Sequence, residues 1–171
     1  MVTIPTNFDK ALKKGAIGED IVRKLLEAKG WIVYQPFTNG PHAFDMLATL
    51  NKERAIALDI KAKARMNKFP ATGVNKKHYE QYKRFSEKHA MPFWIVFVDE
   101  AQNSIYGNTI ELLDVPCVID KIEYPFDLVT RHNVVIRLWP LEKMYQFGKL
   151  SDLQSAELKA LNQRNYEYGT N

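Results

Sequence analysis

Residues 44–63 read F-D-M-L-A-T-L-N-K-E-R-A-I-A-L-D-I-K-A-K. Apolar side chains alternate at Phe44, Met46, Ala48 and Leu50, a polar turn follows at Asn51-Lys52-Glu53, and the alternation resumes at Ile56, Leu58, Ile60 and Ala62. A period of two with β-branched and aromatic residues predicts two strands joined by a tight turn. Side chains at i and i+2 share a strand face. Asp59 and Lys61 therefore point together, away from Ile56, Leu58 and Ile60, and Asp45 sits opposite Phe44 and Met46. Paired across the turn, the strands bring three ionisable groups to one face, whose remaining residues, Ala55 and Ala57, are small. Two carboxylates and a lysine over a shallow floor can hold a divalent cation and a water. The competing account is a cross-strand salt bridge on a solvated face.

Upstream, a helix is expected from a cap at Asn7 or Asp9 to about Lys29, ended by Gly30. Its apolar stripe is Ile17, Ile21, Val22, Leu25, Leu26 and Ala28, and Gly15 and Gly18 leave room for another element to approach. At about 100° per residue, Glu19 falls at the edge of the stripe beside Leu26, while Asp20 turns further round towards Lys24. A ligand must look inward from a helix edge, which selects Glu19. A surface pair of Glu19 with Arg23 also fits the spacing. Trp31 to Tyr34 reads as a short strand, and Gln35 to His42 as a loop with Pro36, Asn39, Gly40 and Pro41.

The order of these pieces resembles the PD-(D/E)xK, or restriction-endonuclease-like, nuclease superfamily. The residues that carry the resemblance are Gly15-Ala16-Ile17-Gly18-Glu19-Asp20 on an amphipathic helix, then Phe44-Asp45, then Asp59-Ile60-Lys61. Phe44 stands where a proline often does, with Pro41 a little upstream. The Gly-x-x-Gly-Glu helix is nearest the Holliday-junction-resolvase-like branch, and the match spans roughly residues 14–99. The resemblance implies an α/β fold with an αβββαβ core and a mixed central sheet. It implies Mg²⁺, or Mn²⁺, held by Asp45, Asp59 and the Ile60 carbonyl, with Glu19 binding or tuning the metal and Lys61 acting on the water or the transition state. The activity implied is metal-dependent hydrolysis of DNA phosphodiesters by an endonuclease. A Holliday-junction resolvase, serving DNA recombination and repair, is the alternative within the class, and symmetric junction cleavage would require a homodimer. A non-catalytic nucleic-acid-binding module on the same fold is the alternative outside it.

Charge is unevenly spread. The chain of 171 residues carries a net +4. Between Lys61 and Lys88 nine basic residues face two acids, Glu80 and Glu87, giving 9 − 2 = +7 and leaving 4 − 7 = −3 for the rest. Such asymmetry suits a polyanionic partner, although a solvated helix face gives the same pattern. Beside a candidate metal site, Lys63, Arg65, Lys68, Lys76 and Lys77 are expected to contact phosphate. Residues 65–75 are expected to form a loop, and Asn75 to cap a second helix over 76–89 that packs through Tyr79, Tyr82 and Phe85. Gln81 resembles the glutamine of the Q-x-x-x-Y element in the exonuclease branch, with Phe85 in the tyrosine's place, and is a candidate substrate contact.

The run from Phe93 to Asp99 is apolar throughout, as in a central strand covered on both faces. Beyond it, strands are expected over 104–113, with Gly107-Asn108 a turn, over 115–122 and over 134–138. Pro140 should open a short helix ending near Gly148, and Ser151-x-x-Gln154 a final helix to about Asn165 with the stripe Leu153, Ala156, Leu158, Ala160 and Leu161. One domain is expected over 1–171, with a core at about 7–99 and an elaboration at about 100–165. A single cysteine, Cys117, excludes an internal disulfide. With no signal-peptide pattern and no apolar run long enough to span a bilayer, no membrane association and a cytoplasmic location are expected.

Overall fold

The computed structural model describes residues 7–36, 42–51 and 53–162. The expected turn residue Lys52, the loop residues Asn39, Gly40 and Pro41, and the chain after residue 162 lie outside them.

In chain order the elements are α1 (Asn7–Ala28), β1 (Ile32–Tyr34), β2 (Met46–Leu50), β3 (Arg54–Ala62), β4 (Ala71–Asn75), α2 (Lys76–His89), β5 (Phe93–Asp99), β6 (Ser104–Thr109), α3 (Ile110–Leu113), β7 (Cys117–Ile119), β8 (Ile122–Tyr124), β9 (Phe126–Val129), β10 (Val135–Pro140), β11 (Tyr145–Lys149) and α4 (Asp152–Ala160). A 3₁₀ turn, Leu141–Lys143, precedes β11. The central sheet has the order β1-β2-β3-β5-β6-β11. Only the β3–β5 pair in it is parallel, because α2 carries the chain over from one to the other. This is an α/β fold with a mixed central sheet, and with β4 set aside in the second sheet its first elements, α1-β1-β2-β3-α2-β5, follow the expected αβββαβ order.

The sheet is covered on both faces. Leu58 and Ile60 pack under α1 against Ile21, Val22 and Leu26, with Met46, Val96 and Val98 in the same cluster. Ala57 of the opposite face joins Tyr79 and Tyr82 of α2, with Phe93, Phe97 and Trp139. Asp59 alternates onto this second face, so the floor expected to be shallow is roofed by α2. Phe44 precedes β2 and packs on Phe85, ring centroids 5.1 Å apart. It therefore lies on the α2 side while Met46 faces α1, which breaks the expected alternation.

Several local expectations are corrected. Asn7 and Asp9 sit in the first turn of α1 rather than capping it, and Ala28 is exposed. The expected 65–75 loop contains β4, which pairs with β10 in a three-stranded sheet β4-β10-β9. Gly107 is not a turn residue: it lies mid-strand in β6, where a Cβ would run into the Ile95 carbonyl. Strand β6 then ends at α3, and the expected strand over 115–122 is the hairpin β7–β8. Pro140 closes β10, and the expected helix is the 3₁₀ turn followed by β11. The capping box of α4 forms as expected, but its inward residues are Ser155 and Leu158, with Leu153 80% exposed.

Candidate active site

The site begins with the register of the β2–β3 hairpin. Met46 stands opposite Leu58, so one step further along this ladder brings Asp45 opposite Asp59. The Asp45 amide donates to the Leu58 carbonyl (2.8 Å), and the Ile60 amide donates to Asp45 Oδ2 (2.7 Å). The carboxylate of Asp45 thus takes the ladder bond that a backbone carbonyl would otherwise accept, and β2 starts only at the next residue. The bond fixes Oδ2; Oδ1 faces His42 Nδ1 at 4.0 Å.

Asp59 is 4% exposed. Lys61 lies two residues on along the same face and its Nζ reaches Asp59 Oδ1 at 2.9 Å and Oδ2 at 2.7 Å. Only the contact to Oδ1 has the direction of a hydrogen bond; Oδ2 is buried without one. Lys61 Nζ also lies 6.0 Å from the centroid of the Tyr82 ring. Tyr82 is held by stacking on Phe93, at 4.7 Å between centroids and 12° between planes. Burial first, then the adjacent Asp59 charge, hold the Tyr82 hydroxyl protonated far above its ordinary range.

Glu19 of α1 lies near enough to this group to feel the charges of Asp45, Asp59 and Lys61. Burial raises its carboxyl above the usual range, and the Asp45 charge raises it further. Asp45 is raised in turn, by burial and then by the Asp59 charge, with the Ile60 amide partly offsetting both. The expected surface alternative for Glu19 is not what forms: Arg23 pairs with Asp20 (2.5 Å) and Glu27 (2.9 Å), and Lys24 also takes Asp20 (2.7 Å). Gly18 makes the approach of α1 close, since a Cβ there would stand 2.9 Å from Ala62 Cβ; Gly15 has no neighbour within 4 Å and serves no such approach.

Glu19 and Asp45, both raised by burial and by a neighbouring carboxylate charge, form with Asp59 an environment that a cation relieves. Among the described residues, no three His, Cys, Asp or Glu side chains form a group that could hold a metal ion. Mg²⁺, however, is commonly held by one or two carboxylates while keeping several waters. Asp45 and Asp59, with hard oxygen donors and the unsatisfied Asp59 Oδ2, fit a partly hydrated cation of that kind, not a closed protein cage.

The expected phosphate contacts divide. The Lys63 ammonium donates to the Gly73 carbonyl and lies 5.7 Å from the Phe97 ring centroid. Arg65 Nε donates to the fully buried Asp99 (2.9 Å), and Lys76 pairs with Asp127 (2.6 Å). These three serve the fold in this arrangement. Lys68, Lys77 and Gln81 are exposed.

Tyr82 escaped sequence reasoning, which reads it only as a packing position; His42 reads as a loop histidine that could approach the site, although such a residue is usually just solvated. The His42 Nδ1 lies 2.6 Å from the Phe44 carbonyl; a carbonyl only accepts, so Nδ1 carries the proton and Nε2 is left for other partners. The nearest sequence signal was the spacing of His42, three residues before Asp45.

No protein-family model matches the chain, and no curated protein matches it. Among solved structures, the fold is similar to Hjc, a Holliday junction resolvase from Archaeoglobus fulgidus, with TM-score 0.48 and 14% identity over 72% of this chain and 88% of that one. It is also similar to a nuclease from a fusselovirus, with TM-score 0.46 and 12% identity over 93% of this chain and 95% of that one. Among the described residues no helix is long and apolar enough to cross a membrane.

Proposed function

We propose that the protein is a metal-dependent DNA endonuclease whose active site is Glu19, Asp45, Asp59 and Lys61. The observation that carries this reading is the buried Asp59 held against Lys61 on one face of β3, with Asp45 opposite it and bonded to the Ile60 amide. A divalent cation, Mg²⁺ or Mn²⁺, bound at Asp45, Asp59 and the Ile60 carbonyl would neutralise charge on the phosphoryl oxygens and provide an activated water. Glu19, with its raised carboxyl, is poised to tune that charge or to complete the ligand set. Lys61 carries three protons and no acceptor. It is therefore repelled by the cation and attracted by the phosphoryl oxygens, where negative charge grows as the bond breaks. Asp59 aims the Lys61 ammonium, and Tyr82 stands beside Asp59 with a hydroxyl that does not ionise. Lys68, Lys77 and Gln81 are left to meet the substrate beside the site.

Holliday-junction resolution is a narrower version of this reading, and it requires two copies acting together. Cleavage of linear, nicked, single-stranded and four-way-junction DNA, with and without Mg²⁺, separates these activities. Asp59→Asn should abolish cleavage while leaving DNA affinity equal or higher, since one negative charge near the phosphates is lost. Lys61→Ala should also abolish turnover, at some cost in thermal stability because the buried Asp59 carboxylate loses its cation partner. Metal-dependent cleavage that persists in both variants would falsify the assignment. Wild-type binding with no cleavage under any metal would leave the non-catalytic module.

A further inference from the structure

A cleft of ≈380 Å³ opens beside the site, lined by His42, Gln81, Arg84, Phe85, Lys88 and His89. Five of these lie on α2 at i, i+3, i+4, i+7 and i+8, which is one face of a helix. From Gln81 to His89 that face runs about 12 Å along the axis. His42 closes the other wall and touches the candidate active site, through its 4.0 Å approach to Asp45. The cleft is built on rigid rings: Phe85 packs on Phe44 at 5.1 Å and on Phe93 at 5.9 Å, and His89 covers it at 4.5 Å.

Like Lys68 and Lys77, which lie outside the lining, and unlike the other five basic residues of the 61–88 segment, its two cations are unpaired among the described residues. Lys61, Arg65, Lys76 and Lys83 each have a carboxylate partner, and Lys63 has the Gly73 carbonyl. Among the described residues Arg84 and Lys88 have no such partner, and the two acids of α2, Glu80 and Glu87, are not in the cleft lining. A concave surface with two free cations, an amide and two imidazoles needs an anionic occupant that offers repeated oxygen acceptors.

We infer that this cleft carries the phosphodiester backbone of the nucleic-acid strand as it leaves the active site, with Arg84 and Lys88 on successive phosphates and Gln81 and His42 at the end nearest Asp45. The inference rests on the nucleic-acid part of the function proposed above and adds to Lys68 and Lys77 a phosphate track along the 81–89 face of α2.

The test uses Asp59→Asn protein, so that binding is read without cleavage, and a fluorescently labelled DNA duplex titrated over a series of salt concentrations. Arg84→Ala/Lys88→Ala in that background should weaken binding by about tenfold at low salt. It should also flatten the slope of log affinity against log salt by about 1.8, at about 0.9 for each phosphate that the protein no longer neutralises. Lys149→Ala/Lys159→Ala removes the same charge from β11 and α4 and should change the slope by much less. Equal effects from the two double variants, or no effect from Arg84→Ala/Lys88→Ala with circular dichroism unchanged, would overturn the inference, as would wild-type protein that binds no DNA. Wild-type cleavage is measured separately. Cleavage that survives while Arg84 and Lys88 prove dispensable sinks the cleft and keeps the nuclease. Binding that depends on Arg84 and Lys88 without any wild-type cleavage keeps the cleft and sinks the nuclease.

Discussion

Lys63 shows how one residue can look identical to its neighbour in sequence and differ in physics. Lys61 and Lys63 share a strand face by period two, and both read as phosphate or catalytic groups. Lys61 meets a carboxylate, whereas Lys63 meets the Gly73 carbonyl and an aromatic face. Burial, then repulsion from Lys61, brings the Lys63 amine down to about 8 from its ordinary 10.5. The folded state therefore releases this proton before the unfolded state does. Between pH 8 and pH 10.5 the unfolded chain holds more protons, so this group's contribution to stability rises with pH in that window and is flat below it. Comparing wild type with Lys63→Met isolates it from the other titrating groups. The stability difference between them should shift towards wild type as pH rises from neutral to the top of the window, by at most about 1.4 kcal/mol per pH unit. Urea denaturation at matched pH values reads it, and a difference that does not vary with pH would place the amine in solvent.

At the scale of elements, legibility followed the distance over which the deciding contacts act. Strands β2, β3 and β5 and helices α1 and α2 were readable because period and caps are local. Asn75 caps α2 through its own side chain on the Lys77 amide, 3.0 Å away. Strand β4 was not readable: Ala71-Thr72-Gly73-Val74-Asn75 has no alternation and follows Pro70, and what makes it a strand is β10, more than sixty residues later. The Asp45–Asp59–Lys61 juxtaposition lay within one hairpin and could be drawn from period two, whereas Tyr82 reaches Asp59 from another layer. The two glycines of α1 divide in the same way, since spacing alone could not tell them apart. Gly15→Ala adds a methyl to open space in a helix and should stabilise by about 0.5–1 kcal/mol. Gly18→Ala gains the same propensity but forces a Cβ to 2.9 Å from the Ala62 Cβ, a group with no flexible end to yield. It should destabilise by about 1–3 kcal/mol. It should also reduce cleavage beyond the loss of folded protein, because pushing α1 off β3 withdraws Glu19 from Asp45. Chemical denaturation of both variants, with cleavage measured per folded molecule, checks the pair.

For the whole molecule, the question is whether residues 100–162 decorate the αβββαβ core or complete it. We propose that they complete it, and that the chain unfolds as one unit. Strand β6 pairs with β5 from Trp94 to Asp99, and β11 pairs on β6, so the four strands of the core make up only part of the six-stranded sheet. Strand β10 is the partner that gives β4 its hydrogen bonds, and Trp139 of that strand is fully buried against the face that holds Tyr79 and Tyr82. Leu158 of α4 is fully buried in the cluster under α1, and Ser155 Oγ donates to the Glu100 carbonyl at 2.8 Å. The Glu100 side chain is itself buried, paired at 2.7 Å with Lys14 of α1. A chain ended after Asp99 would expose one edge of β5 and strip the cover from Phe97, Val98 and Val96. It would also leave β4 unpaired beside the loop that Arg65 anchors. Both losses, exposed apolar surface and orphaned sheet bonds, are set against the roughly 5–15 kcal/mol by which a domain is ordinarily stable. The fragment 7–99 should therefore show no cooperative thermal transition, while the full chain shows a single transition with the same midpoint by circular dichroism and by tryptophan fluorescence. Fluorescence is a demanding probe, since Trp31 and Trp94 lie towards one end of the central sheet and Trp139 lies in the β4-β10-β9 sheet. Two separated midpoints, or a fragment that melts cooperatively, would make residues 100–162 an independent addition.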